Sequence, residues 1–565
     1  MPSDSQRAPE SYEKPVLGSP VSRVAAAGSK AGGADVDQSI ILTGGKLAIV
    51  FTAMLFCMLL TALDQTILAT ALPRIASDFD AFTLQGWVAT AFILAQTIFL
   101  LFYGQVLRIA PAKYVMLTAI LIFEVGSLVC GVAKNINMLI AGRAVTGVGA
   151  AGLFVSMMQI VSQVTRLEDR PRLWGLFGAV FGLASVVGPL VGGAFTDRVT
   201  WRWCFYINLP FGGVSATVVA FLLKASPPLG SDGTRRTWAH LRRQVSHLDY
   251  IGATLVAAFV TCLVLALQWG GNTKPWSDKA VIICFVLSGV FAAATIAWEI
   301  WIGEERAMVP TTVFKSRSVF AIILYCFLSR FSLLLFAYYL PIFYQAARNH
   351  TATRSGIDLL PFMIAVILSA VVSGQIVSKL GIYFYFLLIA PVFLAVGSGL
   401  MYTISPATST ASITGFQILA GIGTGLGMQN AFVAIQAEFR DKSDAHLLGQ
   451  ATAMASFGQF FGGTIGLGVA EPVFATELGR FLARYAPNVP QQIVRQSPTA
   501  IHDALPKELI SGVVKSYTES LRVVFVLGVP VAGLGLIAAV FIQNIKIVDE
   551  SAVSSAGRVG GGEKS

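Results

Sequence analysis

Charge is what this chain has least of. Asp, Glu, Lys and Arg make up 12% of its 565 residues, against roughly 25% in an ordinary soluble domain. With 55% hydrophobic residues and a mean hydropathy of +0.70, there is too little polar surface to face water all round. Part of the solvent must be lipid. Cysteine and histidine are sparse too. Cys57, Cys130, Cys204, Cys262, Cys284 and Cys326 all sit inside apolar runs, without metal-pair or disulfide spacing. His240, His247, His350, His446 and His502 fall between those runs, so no haem or zinc site is expected at membrane depth and no metal ligand is assigned. No phosphate-loop sequence with its Lys-Ser/Thr is present, which removes ATP as a direct energy source. Gly147-x-Gly149-x-x-Gly152 matches the dinucleotide fingerprint, yet it lies in an apolar run with no strand before it. No nucleophile or metal constellation converges anywhere, so the chain does not read as an enzyme.

What is present in abundance is the apolar run. Residues 1–45 are rich in Ser, Gly and Ala without periodicity and read as a disordered tail. No secretory signal peptide is expected at the start. Runs of bilayer-crossing length follow at 47–72, 86–107, 114–133, 138–162, 173–195, 204–224, 249–269, 280–302, 319–344, 357–378, 382–404, 411–434, 447–474 and 521–543. Helix is forced on them, because backbone groups find no water in hydrocarbon. The fold class is therefore an all-α polytopic membrane protein of fourteen spans. An even count puts both ends on one side. Arg166, Arg170, Arg172, Lys224, Arg306, Lys315 and Arg317 cluster in the loops of that side, as do Arg235, Arg236, Arg242 and Arg243, so the positive-inside rule makes it the cytoplasm. The net charge of +10 thus faces anionic lipid, and no nucleic-acid partner is expected. The sequon Asn349-His350-Thr351 falls in an outer loop, where Asn349 is a candidate for glycosylation.

The runs also repeat. Leu72-Pro73 recurs as Leu340-Pro341, and Gly104-Gln105-Val106 as Gly374-Gln375-Ile376. Arg143-x3-Gly147-x-Gly149 recurs as Gln417-x3-Gly421-x-Gly423, and the glycines of the fifth span recur in the thirteenth. The offset stays between 268 and 274 residues. Two six-helix bundles in the same orientation are expected, at 46–224 and 319–543. They are joined by a basic loop at 225–248, an inserted helix pair at 249–302 and a loop at 303–318. An outer loop is expected at 475–519 and a second tail at 544–565. Parallel halves of this kind hold a site at the midplane between them and open it alternately by rocking.

Several of these residues resemble the major facilitator superfamily, in particular its fourteen-span drug:proton antiporter branch and the fungal toxin and multidrug efflux subgroup. Leu63-Asp64-Gln65-Thr66 through Ala71-Leu72-Pro73 looks like that branch's first-span motif. Gly142-Arg143 with Gly147-x-Gly149-Ala150-Ala151-Gly152 looks like the fourth-span motif linked to proton coupling. Gly175-x8-Ala184-x3-Gly188-Pro189-x2-Gly192-Gly193 resembles the fifth-span antiporter motif, and Trp201 to Pro210 is similar to the toxin-efflux subgroup. One departure matters. After Gly104, Arg108 stands where the superfamily's loop carries an acid and Pro111 where it carries glycine, so its charge-based closure of the inner gate does not transfer. The resemblance implies a proton gradient as the energy source, no cofactor, a small organic substrate and a monomer in the plasma or vacuolar membrane.

A charge inside a span costs about 2.5–3.5 kcal/mol on insertion scales, so each one found there calls for a partner or a role. Asp64 and Arg143 lie at compatible depth, and Arg143 is expected to tune a proton-accepting carboxylate with Asp64 as first choice and Glu124 as rival. Gly175, Gly188, Pro189, Gly192 and Gly193 are the expected gating residues. For the substrate cavity the candidates are Phe92, Gln96, Met158, Gln159, Arg330, Phe336, Tyr339, Gln345, Gln429, Asn430, Phe457 and Gln459, since aromatic walls with a few amides suit bulky, weakly polar molecules. The leading expectation is proton-driven export of hydrophobic or amphiphilic compounds such as toxins, secondary metabolites or drugs. Import of a nutrient or iron chelate on the same scaffold, and a receptor that no longer transports, are the alternatives.

Overall fold

A computed structural model of the chain describes residues 42 and 44–547, apart from 80, 82–83, 229–242, 272–273, 305, 441–443, 490–500 and 502–504. The expected tails at 1–45 and 544–565 lie almost wholly outside the described residues, as does most of the 225–248 loop. Within them the chain is helix and connecting turns, apart from an isolated bridge between Gly270 and Lys274. The first bundle holds α1 (Gly44–Asp78), α2 (Gln85–Ile109), α3 (Ala112–Gly131), α4 (Ile136–Val164), α5 (Arg170–Arg198) and α6 (Asn208–Leu222). The inserted pair is α7 (Tyr250–Trp269) and α8 (Lys279–Ile302). The second bundle holds α9 (Arg317–Arg348), α10 (Leu360–Leu380), α11 (Phe384–Met401), α12 (Thr410–Glu438) and α13 (Leu448–Tyr485), then α14 (Lys507–Val526) and α15 (Gly528–Val540).

Short polar side chains start these helices by taking up free N–H groups. Asn135 accepts from the Met138 N–H at α4, Asp249 from Gly252 at α7, Asp278 from Ala280 at α8 and Ser409 from Ser412 at α12. Gly381 ends α10 in the left-handed region at φ 71°, which lets α11 begin three residues later. Asn349 ends α9 in the same region at φ 54° and is exposed, while Thr351 caps the short helix that follows. Thirteen helices among the described residues are long and apolar enough to cross a bilayer. The expected thirteenth span, α13, is 38 residues long but is rich in Gly, Gln, Ser and Thr. We count it as a crossing as well, because it packs on α9 as α5 packs on α1.

The repeat read from the sequence is a repeat of contacts. Pairings α1 with α5, α2 with α4 and α3 with α4 recur as α9 with α13, α10 with α12 and α11 with α12. A side-chain carbon at Gly147 would meet Ala95 Cβ at 3.1 Å; one at Gly421 would meet Ala365 Cβ at 2.8 Å, at matching places in the other half. These glycines let helix backbones approach closely, as small residues do inside membranes. Between halves, α2 packs on α13 and α5 on α10. The inserted α7 lies against α2 and α13, whereas α8 touches α7 and turns Ile282, Val286, Val290 and Trp301 outward.

The expected 475–519 loop is corrected. Its described part is largely helix, because α13 runs on to Tyr485 and α14 begins at Lys507. Leu478 and Leu482 pack with Val513, Tyr517 and Ala346 in a small core of their own. Residues 490–500 and 502–504 of that stretch lie outside the described residues.

Candidate functional site

Asp64 on α1 and Arg143 on α4 are each 1% exposed, deep inside the first bundle. Arg143 Nη1 lies 2.5 Å from Asp64 Oδ2, and its Nε donates to the Val88 carbonyl at 3.1 Å. The guanidinium stacks over Phe92, 4.4 Å from the ring centre. Asn208 on α6 donates from Nδ2 to the other carboxylate oxygen, Oδ1, at 3.3 Å and to Ser127 Oγ on α3 at 3.1 Å. A buried ion pair persists only where its remaining hydrogen-bonding capacity is met, and this cluster meets it with an amide, a carbonyl and a ring face. The second bundle keeps the positions but not the charges. Gln417 replaces Arg143 and donates to Tyr344 Oη at 2.8 Å, and Ser332 stands in the place of Asp64.

Glu124, the rival carboxylate, sits on α3 facing Gly212 of α6, where any side-chain carbon would collide with it. Both its oxygens are buried, and no hydrogen-bond partner reaches them among the described residues. It makes no hydrogen bond to the Asp64 cluster among the described residues.

A narrow pocket lies at the seam of the two bundles. Of the expected residues, Gln96, Met158, Arg330, Gln429 and Gln459 line it. Met58, Thr61, Ala62 and Gln65 of α1 complete the wall, with Phe154, Phe177, Phe181, Met428, Phe432 and Phe460. Positions 58, 61, 62 and 65 are one face of a helix, so periodicity measured from Gln65 could have found them. Phe154 packs edge-on against Phe432 at 6.1 Å and Phe460 at 5.3 Å, an aromatic contact that joins both halves.

The other expected cavity residues are elsewhere. Phe92 lies under Arg143. Gln159 is buried beside Gly449, its Oε1 3.2 Å from where a Cβ would stand. Phe336 stacks on Phe525 at 5.7 Å and Tyr339 packs on Phe474, both within the core of the second bundle. Gln345 donates to Ser355 Oγ at 2.9 Å, Asn430 to the Leu426 carbonyl at 2.7 Å, and Phe457 stacks on Phe461. The aromatic rings and the amides of Gln345 and Asn430 are used up in local packing, which sequence spacing does not reveal. In α5, Gly175 lies against Ala370 and Val371 of α10, and Gly188 against Thr66 of α1, whose hydroxyl donates to the Ala184 carbonyl at 2.9 Å. Gly192 is buried, Gly193 has open space beside it, and α5 continues through Pro189 as one helix.

At the end of the bundles that carries the basic loops, the halves are closed on each other by helix packing and hydrogen bonds. Gly104 packs against Ala453 of α13, and Gly374 against Pro171 at the start of α5. Arg170 donates to Gln436 Oε1 across the seam at 3.2 Å and to the Ser162 carbonyl at 2.6 Å. The segment after α8 crosses this end as a strap. Gln105 of α2 donates to the Arg306 carbonyl at 2.6 Å and accepts from the Asp249 N–H at 3.0 Å. Gln450 of α13 donates to the Ala307 carbonyl at 3.1 Å. Glu299 holds the strap from α8 by accepting from the Val309 N–H at 3.1 Å. Sequence reading noted Gln105 as part of a repeat and missed its partners.

Residues 54–467 match the family described as the Major Facilitator Superfamily. The chain is 39% identical over 506 residues to the MFS-type transporter phomT of Diaporthe leptostromiformis, covering 89% of this chain and 84% of that protein. It is 36% identical over 503 residues to the efflux pump aunC of Aspergillus niger, covering 89% and 87%. The chain belongs to the major facilitator superfamily. A solved superfamily structure, the proton:xylose symporter XylE, matches 90% of this chain and 98% of its own at a TM-score of 0.57 and 12% identity, a likeness of fold alone. This major facilitator protein is thus a multi-pass membrane transporter related to fungal efflux pumps, and not an enzyme. Its cavity lies between the two bundles, and its buried ion pair belongs to the first bundle only.

Proposed function

We propose that this transporter exports hydrophobic or amphiphilic organic compounds in exchange for protons, by alternating access. The observation that carries the reading is the place of the Asp64 pair directly behind the cavity wall. Gln65, the next residue of α1, lines the cavity and donates to Gln96 at 3.4 Å, while Asp64 points inward to Arg143. A proton on Asp64 cancels the charge that binds α1 to α4. Arg143 keeps the Val88 carbonyl and the Phe92 ring, but α1 is freed to shift, and Met58, Thr61, Ala62 and Gln65 shift with it. Proton and substrate then favour opposite settings of one helix, and each lowers the affinity for the other by the same factor.

Export is supported by the efflux-pump relatives, and proton coupling by the fourth- and fifth-span motifs. The positive-inside rule assigns the closed, basic end to the cytoplasm, together with both termini. We place the monomer in the plasma membrane.

The test is uptake of a labelled amphiphile into inside-out vesicles holding the full chain. Accumulation is expected when the lumen is made acid, and Asp64→Asn is expected to cut it at least tenfold while downhill exchange persists. Accumulation indifferent to the pH difference contradicts proton coupling. Full accumulation by Asp64→Asn with loss in Glu124→Gln moves the proton site to α3.

A further inference from the structure

Three arginines among the described residues are deeply buried, and two of them are explained. Arg143 has Asp64, and Arg170 has the Ser162 carbonyl and Gln436. Arg330 on α9 is 5% exposed and has neither. Its surroundings are the faces of Phe181, at 4.8 Å, and Phe460, at 5.3 Å, and no carboxylate pairs with it among the described residues. Among the described residues it is the single formal charge in the cavity wall.

The scaffold does not ask for that charge. At the repeat offset of 268 residues, the place of Arg330 in the first bundle is taken by Ala62, which lines the same cavity from the opposite side. The second bundle instead makes room for it. Gly463 of α13 stands where a side-chain carbon would come within 3.0 Å of Arg330 Cγ, so a glycine accommodates the stem. Ring faces attract a guanidinium but offset only part of the cost of removing it from water. The planar fork that remains is suited to two oxygens of one anionic group. Gln65, Gln96, Gln429 and Gln459 lie in the same wall and can serve further oxygens.

We infer that Arg330 is the anion-recognising group of the cavity, and that the favoured substrates are amphiphiles carrying one carboxylate or sulfonate on an aromatic or apolar body. The inference rests on the reading of this chain as a transporter of organic compounds, and it names their charge. The apolar body lies among Phe154, Phe177, Phe432 and Met158, and the anionic head reaches Arg330 between its two rings.

The test is equilibrium binding of labelled naphthoate and of naphthamide, its uncharged counterpart of the same size, to the purified full chain. Wild type is expected to bind naphthoate at least tenfold more tightly. Arg330→Gln is expected to bring the two within twofold by weakening naphthoate alone, and Arg330→Lys to keep part of the preference. Unchanged naphthamide binding certifies that a variant is folded. Equal binding of both ligands by wild type, a preference that survives Arg330→Gln, or no binding of naphthoate by the folded protein overturns the inference. No pH difference is involved, so failure here leaves the vesicle result on proton-driven export standing, and the reverse holds too.

Discussion

Asp64 and Arg143 are worth more together than either is apart. Removing one partner of a buried pair leaves an uncompensated charge and costs about 3–5 kcal/mol. Asp64→Ala and Arg143→Met are each expected to lower the unfolding temperature of the purified protein, and the double variant to recover most of the loss without regaining gradient-driven transport. A double variant no more stable than the singles would contradict the pairing. The pair was legible in the sequence because a charge stands out in an apolar run and has to be matched. Phe177 and Phe432 were not legible, since apolar residues fill every span and the packing of the other bundle decides which face meets the cavity. The expected Phe336 and Tyr339 failed for the same reason, being taken into the core of their own bundle.

The strap between α8 and α9 is the element that distinguishes this closed end. It binds one bundle through Gln105 and the other through Gln450, so the two cannot part without releasing the strap from at least one of them. A net hydrogen bond contributes about 1 kcal/mol, or roughly fivefold in a population. Gln105→Ala with Gln450→Ala is therefore expected to speed labelling of Ser162→Cys from the basic end by roughly fivefold, against Ser162→Cys alone. No change in labelling would remove the strap from the gate. Element existence was read well from apolar length, and caps such as Asn135 and Asp249 place the starts within a few residues. The ends of α13 and α14 were missed because Glu477, Arg480, Arg484, Lys515, Glu519 and Arg522 lower the hydropathy there. Apolar residues four apart, Leu478 with Leu482 and Val513 with Tyr517, still bury a stripe.

At the scale of the molecule, two similar bundles differ in what they hold: a charge pair within the first and a lone arginine presented by the second. Their equivalence came from glycines at a steady offset, and the structure gives the reason. Gly147 and Gly421, or Gly126 and Gly397, are each the place where one backbone meets another. Epitope tags at the two ends are expected to be reached from the same side of the membrane, and opposite sides would break the paired-bundle topology. The central claim is that proton and substrate exclude each other through Asp64. It is met most directly by adding a transported compound to purified protein in weak buffer and recording pH with an indicator dye. Wild type is expected to release close to one proton per molecule bound and Asp64→Asn none; binding by wild type without release, or undiminished release by Asp64→Asn, would contradict it.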